Sequence, residues 1–145
     1  MIGGLTPELT DYLVTIAYLV GKYGSRCCIR LVDICRVLGV AKPTASLMVG
    51  KLVDMGLVER CERGVAVSEL GLRVVEAVTR RHEVLENVFL QIGVDHEKAC
   101  DIARKLEVAL GVSDVEAIER RVPSYLSTCD KLECRFDSAI RARKR

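Results

Sequence analysis

The two histidines of the chain, His82 and His96, both fall in RRHEVLENVFLQIGVDHEKAC, residues 80–100, together with Glu83, Glu86, Asp95, Glu97 and Cys100. On a helix, His82 and Glu86 stand four residues apart on one face, close enough to share an ion. Nitrogen, oxygen and sulfur donors of this kind suit Fe²⁺, Mn²⁺ or Zn²⁺. On the helix expected next, positions 102, 103, 106 and 110 centre the apolar face, and His96, Cys100 and Glu107 fall on one flank of it. The same residues admit a plainer reading, in which Glu86 holds His82 as a core histidine and His96 is a solvated residue at a helix start. Periodicity leaves both open for His82 and favours the solvated reading for His96. Neither cysteine nor histidine has a recognisable orienting partner or oxyanion loop, so the chain is not expected to be an enzyme.

These residues need helices to position them, and the pattern supplies helices. Thr6, Pro7 and Glu8 open a first one, with Leu9, Leu13, Ile16, Ala17 and Val20 on one face and an end near Gly24. Leu31, Ile34, Cys35 and Leu38 mark a second that stops at Gly39, and a third restarts at Pro43 with Ala45, Val49 and Leu52 inward. LVERCERGVAVSE then reads as two short strands, Leu57–Cys61 and Val65–Ser68, about a turn at Arg63-Gly64. Helix, turn, helix and hairpin predict a winged helix-turn-helix in a mainly α protein. A long helix follows from Ser68 to about Ile92, with Val78, Leu85, Phe89 and Ile92 as its apolar stripe; another spans roughly 96–110, and Ser113 to Glu116 cap a further one that Pro123 ends. Beyond it, SYLSTCDKLECRF and the basic end RARKR carry no clear period and are expected to be a mobile tail. The expected divisions are 1–70 for the winged helix, 71–123 for an all-helical domain, and 124–145 for a carboxy-terminal extension.

Twenty-two basic against twenty acidic residues leave a net charge of +2, too small to imply nucleic-acid binding, so any such contact must come from local placement. The third helix offers it. With its apolar residues inward, Pro43, Ser46, Leu47 and Lys51 turn outward, behind Lys42 and Thr44 at the helix start. Ser46, Leu47 and Pro43 suit base edges and thymine methyls, whereas Lys42, Thr44, Lys51 and the hairpin arginines Arg60 and Arg63 suit phosphates of double-stranded DNA. Apolar runs such as LVTIAYLV are far shorter than the roughly 20 residues of a membrane span, and no signal peptide is read at the start, so a cytoplasmic protein without a membrane partner is expected. Of seven cysteines, Cys27, Cys28, Cys35 and Cys61 read as small core or near-core hydrophobes. Cys129 and Cys134 offer an alternative, a redox-sensing winged-helix repressor; a helical interaction module that never touches DNA is a second.

TDYLVTIAYL, VAKPTASLMVGKLVDMGLVER and VSELGLRVVEAVTRRHEVLENVFL followed by IGVD, in this order across residues 5–122, resemble the metal-dependent repressor family of the diphtheria toxin repressor and the manganese transport regulators (DtxR/MntR). The resemblance implies a homodimeric repressor of metal-homeostasis genes, with a winged helix on operator DNA and a divalent ion, Fe²⁺ or Mn²⁺, between the first helix and the dimerisation helices. It matches Asp11, His82, Glu86 and Glu107 to family ligands and puts Cys100 close to a further one. Three positions depart: Val14 stands for a carboxylate, Arg104 for a cysteine or glutamate, and Val108 for a histidine. Valine cannot ligate, and arginine keeps its proton. The expectation is therefore a rebuilt site in which an Arg104 ion pair replaces part of the metal charge near Asp11 or Glu107. His82, Glu86 and Cys100 remain to bind an ion, if any is needed.

Overall fold

The structure is a computed structural model that describes residues 3–24, 28–122 and 133–144, without the side chains of 133 and 134. The described residues form two compact units, residues 8–76 and residues 1–7 with 77–145.

In the first unit, α1 spans Pro7–Tyr23, α2 Leu31–Leu38 and α3 Lys42–Asp54. Proline at the second position of α3 fits there because its missing N–H has no helical partner in the first turn. Gly39 closes α2 with φ at +62°, the left-handed conformation that favours glycine. Leu13, Ile16, Ile34, Leu38, Ala45, Val49 and Leu52 are buried, which matches the helical periods. The wing pairs β1, Val58–Cys61, with β2, Gly64–Val67, in antiparallel register with Cys61 opposite Gly64. Its turn is thus Glu62-Arg63, one residue earlier than the glycine suggests. Gly64 has another duty: Ile29 bridges to Val65, and a Cβ at 64 would collide with the Ile29 carbonyl.

Asp11 is completely buried on α1, as are Thr10 and Thr15, so α1 is enclosed on more than its apolar stripe. One sequence expectation fails in this unit. Cys28 and Cys61 are not thiols but a disulfide, 33 residues apart, with Cα atoms at 6.2 Å. Cys35 is free and half-buried. Cys27 lies outside the described residues.

α4, Glu69–Gln91, runs from the first unit into the second. Ser68 caps it: its hydroxyl accepts from the Gly71 N–H at 3.0 Å and donates to the Gly56 carbonyl at 2.6 Å. Val78 and Leu85 are buried, but Ile92 lies past the helix end and is 71% exposed. α5, His96–Leu106, starts at Asp95, whose carboxylate accepts from the Lys98 N–H, and it stops short of the expected 110. α6 spans Val112–Glu119, with Asp114 accepting from the Gly111 N–H at 2.8 Å, so the helix begins before the expected Ser113 cap. Pro123 and Cys129 lie outside the described residues.

The largest correction is at the carboxy terminus. Residues 133–144, expected to be a loose tail, form α7, Glu133–Lys144, which packs on α5. Phe136 and Ala139 are buried with Arg135 and Ser138. Ser138 and Arg141 of α7 meet Asp101, which accounts for a buried carboxylate on α5; Leu106, on the expected apolar face, is exposed.

Candidate functional site

α4 and α5 bring His82, Glu86 and Cys100 together in the second unit. Their ligand atoms lie within 4.8 Å of one another, and all three residues are buried. The helical spacing of His82 and Glu86 puts both on one side of α4, and Cys100, four residues after His96, comes from the facing side of α5. His82 Nε2 is 3.4 Å from Cys100 Sγ and 3.6 Å from a Glu86 oxygen. The second Glu86 oxygen is 2.9 Å from Nε2 of His96. His96 is half exposed, but this contact gives it a partner that the solvated reading did not foresee.

The other side of the His82 ring faces Glu107. Nδ1 lies 2.8 Å from Glu107 Oε2, and Arg135 of α7 forks onto the two oxygens of the same carboxylate, with Nη1 at 2.9 Å from Oε2 and Nη2 on Oε1. Burial alone would raise the Glu107 pKa. The charge of Arg135 and the hydrogen bonds from His82 and Arg135 outweigh it and hold the carboxyl below its ordinary range. An ionised carboxylate only accepts, so at 2.8 Å a His82 proton sits on Nδ1, and Nε2 faces Cys100 and Glu86. Burial, aided by the Glu86 charge, pushes the Cys100 thiol up to about 12. It therefore carries its proton and donates it toward Nε2.

This donor set fits a divalent transition ion. An imidazole lone pair, a carboxylate and a thiol that becomes a thiolate on binding give N, O and S ligands in a dry pocket, and the outer nitrogen of the imidazole is already tied to a carboxylate, as metal-binding histidines usually are. The structure thus gathers His82, Glu86, Cys100 and Glu107, with Glu107 on the outer side of the ring. Asp11 belongs to the other unit. A guanidinium fork on Glu107 comes from Arg135; Arg104, expected to pair with Asp11 or Glu107, is buried on α5. Arg135 escaped the sequence because its segment has no apolar period, and an arginine 28 residues from its carboxylate leaves no local sign.

The winged unit has a separate polar surface. Lys42, Pro43, Thr44, Ser46, Leu47 and Lys51 are exposed on α3, Leu47 to 62%, and Arg60 and Arg63 are exposed on the wing. Ser46, Val49, Arg60, Arg63 and Val65 line one concavity of about 260 Å³ between α3 and the wing. Arg60 and Arg63 flank Cys61, which pairs with Gly64 beside the turn, so the disulfide to Cys28 lies at the turn end of the wing.

Comparison with known proteins agrees with this division. The amino-terminal DNA-binding domain of iron-dependent repressors matches residues 4–65, and their metal-binding and dimerisation domain matches residues 68–131. The transcriptional regulator MntR of Escherichia coli is 34% identical over 68% of this chain, which spans 63% of that relative's length. The HTH-type transcriptional regulator MntR of Bacillus pumilus is 32% identical over 78% of this chain and 77% of its own. A solved manganese-dependent transcriptional repressor in complex with manganese aligns at a TM-score of 0.65 and 26% identity, over 83% of this chain and 55% of that one. The chain belongs to the iron-dependent repressor family of DtxR/MntR-type transcriptional regulators, which are not enzymes.

Proposed function

We propose that this chain is a homodimeric, cytoplasmic repressor that binds operator DNA through α3 and the wing and responds to one divalent transition metal held by His82, Glu86 and Cys100. The convergence of these three buried donors within 4.8 Å carries the reading. A thiolate with an imidazole favours borderline ions such as Fe²⁺ or Zn²⁺ over the harder Mn²⁺, so the genes under control are those of iron or zinc handling rather than manganese uptake. The bound ion would supply positive charge joining α4 to α5. The chain's own residues do the rest: Glu107 orients His82, and Glu86 and the Cys100 thiolate neutralise the charge. Lys42, Thr44, Lys51, Arg60 and Arg63 would meet phosphates, and Pro43, Ser46 and Leu47 base edges. Two such units in a dimer would read half-sites about one helical turn, or a multiple, apart.

The test is selection from a random duplex library followed by binding to the selected duplex with and without metal. Stripping the protein with chelator should weaken binding modestly, by about tenfold, because Arg135 already neutralises Glu107. Adding Zn²⁺ or Fe²⁺ should restore the loss in wild type but not in His82→Ala. A metal-loaded protein that shows no sequence preference among duplexes would refute the reading.

A redox-sensitive repressor is a second reading, favoured by the Cys28–Cys61 bridge beside Arg60 and Arg63. Its sensor would then be the wing rather than Cys129 and Cys134.

A further inference from the structure

Arg135 is buried to 2% exposure and Glu107 to none. A carboxylate and a guanidinium are both costly to remove from water unless each meets the other with good geometry, and this pair forks over both oxygens. The fork does not end at Glu107. Its Oε2, which takes Arg135 Nη1, is also the oxygen 2.8 Å from His82 Nδ1, and the opposite ring nitrogen faces Cys100 and Glu86.

We propose that Arg135, delivered by α7, is a positioning residue of the metal site: it neutralises and orients Glu107, Glu107 takes the Nδ1–H of His82, and Nε2 is thereby presented as the ligand face. The inference rests on the metal reading of His82, Glu86 and Cys100. It makes α7 part of the switch. The helix is fastened to α5 at three points along its length, Arg135 on Glu107, Ser138 and Arg141 on Asp101, and Arg141 on Glu97. Because docking of α7 sets the ligand, ion binding and α7 docking must favour one another by the same factor.

Charge also limits the site. Glu86 and a Cys100 thiolate carry two negative charges, and Glu107 is cancelled by Arg135. One divalent ion therefore brings the buried group to neutrality, and a second, placed at Glu107, would meet the guanidinium. The site holds one ion per chain.

The experiment uses the full chain with Co²⁺ as probe. With two histidines in the sequence, ¹⁵N spectra resolve the His82 ring directly. Metal-free wild type should show the Nδ1–H tautomer, and Arg135→Gln a mixture. Co²⁺ affinity should fall between about tenfold and a hundredfold in Arg135→Gln, and less in Arg135→Lys, which keeps the charge without the fork. Amide exchange over residues 135–144 of the wild type should slow when Co²⁺ binds. That last measurement and the tautomer need no variant, so they decide the matter even if Arg135→Gln does not fold. An Nε2–H tautomer in the wild type, exchange in α7 indifferent to Co²⁺, or equal Co²⁺ affinity in wild type and variant each overturns the positioning role alone. A wild type that binds no Co²⁺ overturns the metal reading and this inference together.

Discussion

His82 Nδ1 lies 2.8 Å from Glu107 Oε2, and this contact decides which side of the imidazole is open to a ligand. It also ties the stability of the helical unit to pH. The Glu107 carboxyl is depressed because Arg135 and His82 overcome its burial. A depressed carboxylate adds stability that is in full force above its unfolded pKa and is lost as pH falls through its folded one. Thermal melts should therefore show an acid limb below the ordinary carboxylate range. Glu107→Gln should cost about 3–5 kcal/mol at neutral pH by leaving Arg135 buried without its charge partner, and should flatten that limb. Parallel acid profiles for the two proteins would rule out this linkage.

The Cys100 thiol, pushed up to about 12 by burial and the Glu86 charge, must lose a proton to ligate. Metal uptake should release that proton, and apparent affinity should drop about tenfold for each pH unit of acidification from roughly pH 9 to 7. Calorimetry in buffers of different ionisation enthalpy counts the proton. Cys100→Ser should remove the release; an unchanged count would mean that the thiol is no ligand. In the metal-free protein the sign is opposite in origin: a raised thiol pKa means that stability declines as pH climbs above about 9, the ordinary value for a free thiol.

The disulfide closes a loop of 33 residues between Cys28 and Cys61, and chain entropy assigns such a link roughly 4 kcal/mol. Reduction should lower the stability of the winged unit by about that amount, with faster amide exchange in β1 and β2, and leave residues 77–122 unchanged. Loss confined to the helical unit would contradict it.

On the DNA side, Arg63→Ala should weaken binding to all duplexes alike and reduce the salt slope by about one unit, because an exposed wing arginine meets phosphate. Leu47→Ala, at an exposed apolar position facing outward from α3, should alter sequence preference at one base pair. Equal loss on every sequence for both variants would break the assignment.

The order of helices and hairpin was legible because α1 to α4 obey local rules: Pro7 and Pro43 in first turns, Gly39 at a helix end, and periods of 3.6 that switch to 2 at the wing. The His82 and Glu86 pair was legible for the same reason, since they are neighbours within one helix, and Cys100 was legible on a flank of the next one. What the sequence hid depends on distant pairing. Cys28 and Cys61 look like any small apolar residues until the wing folds back, and Asp101 on α5 looks solvent-bound until Ser138 and Arg141 of α7 meet it. Arg104 and Arg135 show the limit most clearly. Both are buried arginines of one unit, and the family resemblance pointed to Arg104 for Asp11 or Glu107, while a fork on Glu107 comes from α7, 28 residues further on.

A single divalent ion on His82, Glu86 and Cys100 is a countable quantity. Untagged protein reconstituted with Zn²⁺ or anaerobically with Fe²⁺, then freed of excess ion, should retain one ion per chain by elemental analysis. Its Co²⁺ form should show a thiolate-to-cobalt charge-transfer band that Cys100→Ser abolishes. Retention of no ion, or of one ion by Cys100→Ser and His82→Ala as firmly as by the wild type, would contradict the account.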